Sequence, residues 1–267
     1  MIVGGDTDSN DLTTEVIDMS SNSNNVTSSS IGELPSKRAW AVGGLIGTTP
    51  ILCGGWNPFH DSCLTLNQLN QWTQTHMMTK KRAYAASVQL NATTLWIIGG
   101  RQSSSGRHHD STEFLSLDSS NGVPGPKLPY ALSSSCAVKI AEDQIYVIGG
   151  YATSNSRLNR VLIFNPIDRF SYIEGPSLET KRRDHVCGVM SNGQQSLIVV
   201  AGGQNGNGYI SSVEIFDPSL NNWISGKKYI TVTLRLLCIY FMVTLQLLIL
   251  KIVPKLNFNK ICMQYEL

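Results

Sequence analysis

The stretch LWIIGG at residues 95–100 recurs with small changes along most of this 267-residue chain. The other copies are MIVGG at 1–5, ILCGG at 51–55, IYVIGG at 145–150 and IVVAGG at 198–203. Their glycine pairs begin at positions 4, 54, 99, 149 and 202, about 50 residues apart. A constant period of that length over five copies predicts a repeat architecture.

Each copy predicts the same order of strands. The apolar run before the glycine pair is too short for a helix and predicts a strand buried on both faces. A polar loop follows, and then an alternating segment that ends in Asn-Pro or Asp-Pro, as in LNRVLIFNP (158–166) and SSVEIFDP (211–218). This pattern predicts a further strand, followed by a turn. An aromatic side chain stands 18 to 21 positions after the first glycine of three copies, at Trp72, Phe170 and Trp223. We expect each of these side chains to cover the core of its sheet.

Joints rich in basic residues, Pro or Gly separate the copies. They read ELPSKR (33–38), MMTKKR (77–82), GPKLP (125–129) and GPSLETKRR (175–183). After each joint the chain leads through another strand to the next glycine pair, for example RAYAASVQL at 82–90.

Residues 1–226 therefore resemble kelch repeats, and the resemblance implies an all-β, kelch-type β-propeller with four-stranded blades. We expect four full blades and a partial N-terminal blade, because the first copy begins at its second strand and lacks the ring. The third copy has LDSSNGVPGPKLP where the ring belongs, which predicts a poorly formed outer strand. Kelch propellers commonly have six blades, so we expect a fragment of a longer protein. The repeat positions are Gly54, Gly55, Gly99, Gly100, Gly149, Gly150, Gly202, Gly203, Trp72 and Trp223.

The repeat pattern stops after Gly226, and residues 227–267 form an atypical hydrophobic tail. Within it, the mostly apolar stretch 230–250 has lysines on both sides and is about as long as a bilayer span requires, ~20 residues. One interpretation is a membrane anchor. The interpretation that we favour is an alternative exon or a misread gene boundary, because the last repeat breaks off abruptly.

The six cysteines lack the spacing of a metal site. Cys53 and Cys63 flank the mouth of one predicted hairpin, which favours a disulfide. Cys136 and Cys187 lie in equivalent first strands, where we expect buried free thiols. Two glycosylation sequons begin at Asn25 and Asn91, and no secretory signal peptide is recognisable in the sequence. These features leave a cytoplasmic and an extracellular location equally open.

Enzymatic signatures are weak in this sequence. The segment RHHDS at 107–111 predicts a solvated loop, because adjacent side chains project in different directions. There is no glycine-rich phosphate loop, and we expect no metal or other cofactor. The net charge of +2 argues against binding of nucleic acid. Galactose oxidase-like enzymes also have kelch propellers, so the resemblance leaves an enzyme as a remote alternative.

Basic residues recur in the joints, and radial symmetry would bring them to one face. Arg101 directly follows a glycine pair, as a substrate-contacting arginine does in some kelch adaptors of ubiquitin ligases. The joint residues Arg82 and Arg183 resemble other contacts there. The alternative is that such arginines hydrogen-bond a neighbouring blade. The predicted partner-binding residues are Arg82, Arg101, Arg183, His108, Tyr151 and Asn205.

These features predict a non-enzymatic scaffold that binds another protein, with an acidic segment, through loops on one face. We expect either the substrate-recognition part of a ubiquitin-ligase adaptor or an extracellular adhesion protein.

Overall fold

The computed structural model describes residues 2–3, 12, 14–18, 27–56, 58–103, 108–152, 156–191 and 195–226. The described residues form strands, turns and loops, and no helix occurs among them. They belong to two compact bodies. The N-terminal body contains the described residues up to Pro129, and the C-terminal body contains those from Tyr130 onward.

The N-terminal body contains the first three repeats. The first repeat is an antiparallel three-stranded sheet, β1 (Ile2–Val3), β2 (Thr14–Asp18) and β3 (Thr27–Ile31). This sheet agrees with the predicted partial blade. The second repeat consists of β4 (Val42–Ile46), β5 (Thr49–Cys53), β6 (Ser62–Leu66) and β7 (Trp72–Met77). The third consists of β8 (Ala86–Asn91), β9 (Thr94–Ile98), β10 (Thr112–Ser116) and β11 (Ser119–Pro124).

The outer strand of the third repeat is formed, so the prediction that it would be poorly formed is wrong. β11 pairs with β10 through a tight turn at Leu117 and Asp118, with one irregularity near Phe114. On its other side β11 meets β7 in parallel, at Asn121 and Met77. Backbone hydrogen bonds hold this strand, and they do not require an aromatic side chain.

The C-terminal body contains the fourth and fifth repeats. The fourth consists of β12 (Leu132–Ser133), β13 (Cys136–Ala141), β14 (Gln144–Ala152), β15 (Ser156–Asn165) and β16 (Ser171–Gly175). The fifth consists of β17 (Val186–Ser191), β18 (Ser196–Ala201), β21 (Val213–Asp217) and β22 (Asn222–Ser225). A short hairpin, β19 (Gln204–Asn205) and β20 (Gly208–Tyr209), projects between β18 and β21.

The apolar strands before the glycine pairs form the buried core, as predicted; Ile97, Ile148 and Ile198 are fully buried. Each of the four described pairs, from Gly54 onward, then turns the chain with positive φ. A Cβ on Gly54, where φ is +65°, would lie 2.1 Å from the carbonyl oxygen of Arg82. That oxygen accepts a hydrogen bond from the amide of Gly55. Glycine is required here because the next joint passes against the backbone.

Rings cover two of the sheets where the sequence predicts them. Trp72 and Trp223 are buried in β7 and β22, and the indole of Trp223 donates to the carbonyl of Pro176 over 2.8 Å. In the fourth repeat Tyr172 pairs with Phe164, as Trp223 pairs with Phe216 in the fifth. The prediction that Phe170 holds this position is therefore wrong. The turn before β16 is one residue longer than the turn before β22, which displaces the alignment.

All four described cysteines form disulfides. Cys53 and Cys63 lie opposite each other in β5 and β6 and are bonded, as predicted. Cys136 and Cys187 are also bonded, so the prediction of free thiols is wrong. Their strands β13 and β17 begin successive repeats, and their packing brings two Cα atoms separated by 51 positions to 6.0 Å.

Candidate functional site

One arginine of three joints is buried and has the same partners each time. Arg82 donates to the carbonyl of Gly99 over 2.6 Å and to that of Ser111 over 2.9 Å. Arg182 bonds Gly202 and Ser212 in the same way, and Arg38 bonds Gly54 and Ser62. These arginines tie the joint to the glycine pair and to the start of the third strand of their own repeat.

Two of these arginines also have a buried carboxylate. Nε of Arg82 lies 2.6 Å from Glu113, and Nη2 of Arg182 lies 2.7 Å from Glu214. Burial lowers the pKa of Arg182, and the charge of Glu214 opposes that shift. Arg38 has Leu64 at the carboxylate position, and burial lowers its pKa to about 10, against the opposing charge of Asp61.

The prediction that Arg82 contacts a partner is therefore wrong. Its side chain is fully buried and its donors are used inside the third repeat. The structure instead agrees with the alternative weighed from the sequence, a structural arginine, although its partners lie in its own repeat. Arg183 follows the buried Arg182 and is only partly buried, so its environment differs from that of Arg82.

The residue after each buried arginine pairs with the residue after the glycine pair. The pairs are Ala39 with Trp56, Ala83 with Arg101 and Arg183 with Gln204. The residue that follows in the joint has positive φ, as at Trp40 and Tyr84. These two short segments together present one group of side chains at the end of each repeat.

In the N-terminal body this geometry produces a row of rings that ends in a cation, which we call the aromatic row: Trp56, Trp40, Tyr84 and Arg101. The ring centroids of Trp56 and Trp40 are 5.4 Å apart, and Trp40 stacks on Tyr84 at 4.5 Å. The guanidinium carbon of Arg101 lies 4.3 Å from the centroid of Tyr84. All four residues are half-buried.

The guanidinium of Arg101 makes no hydrogen bond or ion pair with the residues that the structure describes. Its Nε is buried without a hydrogen-bond partner among the residues described. Within that part of the chain Arg101 forms no ion pair, and its guanidinium stacks on the face of Tyr84. Within the described residues the guanidinium of Arg101 is therefore positioned by stacking on Tyr84 rather than by hydrogen bonds or ion pairs.

The C-terminal body pairs the predicted Arg183 and Tyr151, but there the cation has partners. Arg183 lies over Tyr151 at 4.6 Å. Its Nε donates to Oε1 of Gln204 over 2.9 Å, and Asp184 lies 3.5 Å away. The predicted Asn205 is half-buried in β19, and its side-chain oxygen accepts the amide of Asn207. Arg183 is therefore largely satisfied within its own body.

Comparisons with known proteins agree with this architecture. A family model described as the Kelch motif matches residues 193–228. The solved structure described as "Structure of YjhT" has a similar fold, with a TM-score of 0.68, 11% identity, 82% of this chain covered and 78% of that one. The chain therefore has a β-propeller fold, and residues 193–228 carry a kelch motif. A search of curated proteins finds no sequence match.

Two described histidines contact backbone carbonyls of the preceding joint. Nε2 of His109 lies 3.2 Å from the carbonyl oxygen of Lys81, and His60 contacts Lys37 in the same way. Burial and the charge of Arg82 lower the pKa of His109 to about 4. This imidazole is therefore neutral at pH 7. The predicted His108 is half-buried and bridges Arg101 through its backbone.

Neither a metal cluster nor a membrane helix occurs in the described residues of the propeller. No three metal-ligating side chains gather there, and no helix of sufficient length and apolarity is present in that part. The hydrophobic stretch 230–250 lies outside the described residues, together with the rest of the tail 227–267.

Three residues of the aromatic row were missed from the sequence: Trp40, Trp56 and Tyr84. A usable signal was present, because the joints RAW at 38–40 and RAY at 82–84 place a ring at the same position of consecutive repeats. Trp56 likewise occupies the position of Arg101, directly after a glycine pair.

Proposed function

We propose that this kelch propeller is a non-enzymatic protein-interaction module, and that the aromatic row binds a carboxylate-bearing segment of a partner protein. The observation that carries the proposal is the state of Arg101. Its guanidinium is stacked on Tyr84, and it has no hydrogen-bond acceptor among the described side chains and backbone.

The chemistry of the aromatic row suits such a ligand. Arg presents a planar set of donors that match a carboxylate in a bidentate manner, and stacking on Tyr84 restricts its orientation. Trp, Tyr and Arg are also the residue types that dominate binding energy at protein interfaces. An acidic residue next to an apolar one would therefore use both Arg101 and the rings of Trp40 and Trp56.

A panel of ten-residue peptides tests this proposal. Each peptide carries one or two Asp or Glu residues, and matched peptides carry Asn or Gln at the same positions. We expect the acidic members to bind and to lose affinity as salt rises. Arg101→Met is expected to weaken binding about 10- to 100-fold, as the loss of a charged hydrogen bond of ~1.5–3 kcal/mol predicts, without a lower melting temperature.

Arg160→Met provides the matched control. Arg160 also stacks on a tyrosine, Tyr130, at 4.7 Å, but it belongs to the C-terminal body and is paired with Glu174. Its replacement should leave peptide binding unchanged. If Arg101→Met binds every peptide as the parent does, or if acidic and amide peptides bind equally, the carboxylate site is refuted.

The proposal also concerns the cellular compartment in which the protein works. A ubiquitin-ligase adaptor would work in the reducing cytosol, whereas an extracellular adhesion protein matures where disulfides persist. The pairing of all four described cysteines favours the extracellular setting. Non-reducing peptide mapping of the protein from its producing cells distinguishes them, because free thiols at these positions would favour the adaptor.

A further inference from the structure

We propose that Asn91 is the acceptor of an N-linked oligosaccharide. Asn91, Ala92 and Thr93 form an Asn-X-Thr triplet, the acceptor pattern for this modification. The triplet lies at the tip of the hairpin between β8 and β9, where Asn91 is paired with Thr94. Asn91 and Ala92 are both exposed, so a bulky glycan has room there.

The local geometry holds the triplet in one arrangement. Oδ1 of Asn91 accepts the backbone amide of Thr93 over 2.9 Å and its hydroxyl over 3.2 Å. Among the described residues, Nδ2 of Asn91 donates no hydrogen bond. The nitrogen that would receive the sugar therefore belongs to an exposed residue and is unbound among the described residues, while the oxygen of the same amide fixes the side chain to the turn.

The backbone of the turn is held by its neighbours. The carbonyl of Ala92 accepts the amide of Gly47 over 2.7 Å, and the carbonyl of Thr93 accepts the amide of Leu117 over 3.0 Å. The backbone groups of the turn thus bond inside the N-terminal body, and the Asn91 side chain is left at the surface. A glycan at this position displaces none of these bonds.

An independent observation concerns the compartment in which the modification occurs. The described cysteines form two disulfides, Cys53 with Cys63 and Cys136 with Cys187. Disulfides persist in the oxidising secretory pathway, and N-linked glycosylation belongs to the same pathway. The Asn25 sequon lies outside the described residues, so this structural argument applies to Asn91 alone.

The reaction requires a lipid-pyrophosphate-linked oligosaccharide as the donor. The bond between C1 of the first sugar and the pyrophosphate oxygen breaks, and a bond between C1 and Nδ2 of Asn91 forms. The amide loses one proton to a base of the transferase, and the lipid pyrophosphate leaves. No atom is oxidised or reduced.

The test uses the full chain recovered from eukaryotic cells that direct it into the secretory pathway. Treatment with a peptide N-glycosidase should increase its gel mobility, and peptide mass analysis should show that Asn91 has become Asp. Asn91→Gln and Thr93→Ala should abolish the modification at this site, whereas Thr93→Ser should retain it. Asn67→Gln is the matched control, because Asn67 caps an exposed turn in the same way but is not in a sequon.

Three outcomes would overturn the proposal: an unmodified Asn91 beside oxidised cysteines, an unmodified Asn91 beside free thiols, or a glycan confined to Asn25. These outcomes are separate from the peptide-binding proposal. Asn91→Gln should not change peptide affinity, and Arg101→Met should not change the glycan.

Discussion

The buried ion pair of the fifth repeat provides the sharpest test of how the propeller is stabilised. Glu214 accepts Nη2 of Arg182 over 2.7 Å and the backbone amides of Glu179 and Thr180 over 2.6 and 3.1 Å. The perturbation is Glu214→Leu, which removes the carboxylate and leaves the guanidinium of Arg182 buried without its counter-charge.

The expected cost of this single change is large. Removing one member of a buried ion pair costs ~3–5 kcal/mol, a major part of the ~5–15 kcal/mol that stabilises a typical domain. With a urea dependence of ~2 kcal/mol per molar, the unfolding midpoint of the C-terminal body should fall by about 2 M. Arg182→Leu should cost a similar amount, because it leaves Glu214 buried and charged.

The fourth repeat suggests the compensating change. It has Leu132 and Leu162 at the positions of Arg182 and Glu214, and both are fully buried or nearly so. The double variant Arg182→Leu/Glu214→Leu copies that apolar pair. It should be more stable than either single variant, because two buried charges disappear together. The coupling free energy between the two sites should therefore exceed the cost of either single change, ~3–5 kcal/mol.

Urea unfolding followed by tryptophan fluorescence measures the cycle, since Trp223 is buried in the same sheet. Lys139→Leu/Glu142→Leu is the control, an ion pair at 2.7 Å whose carboxylate is exposed. Its coupling should stay below ~1 kcal/mol. If the costs of Arg182→Leu and Glu214→Leu simply add, the buried pair is not coupled and the reasoning fails.

Two further predictions concern the C-terminal body. Replacing Cys136 and Cys187 with Ala should cost about 4 kcal/mol, because the disulfide closes a loop of 51 positions; unchanged urea unfolding would contradict its formation. Burial and the charge of Arg182 lower the pKa of His185 from 6.5 to about 3. Between these values the unfolded chain binds a proton that the folded one does not. The contribution of neutral His185 to the free energy of unfolding is therefore fully present above pH 6.5. It is lost as the pH falls towards 3, by up to ~1.4 kcal/mol per pH unit. His185→Ala, which copies Ala85 at the same repeat position, should flatten urea midpoints measured from pH 7 to pH 4; an unchanged slope would assign the acid sensitivity elsewhere.

The sequence by itself determined the strands, their order and one disulfide. A buried strand needs only a short apolar run, and its end needs only glycines that tolerate positive φ, so five copies of one phrase predict the repeats. Cys53 and Cys63 were predictable for the same reason. They lie ten positions apart in neighbouring strands of one hairpin, where the local register places them opposite each other.

Tertiary structure decided which arginines are buried and which are accessible. Arg82 and Arg101 have the same charge, but Arg82 turns inward to Glu113 and Arg101 stacks on Tyr84 at the end of the repeat. Their difference depends on partners 31 and 17 positions away, respectively. The bond between Cys136 and Cys187 likewise depends on the packing of strands from two repeats. Hydrophobic periodicity encodes the local backbone, whereas the burial of a charge or a thiol depends on distant chain segments that only the folded structure brings together.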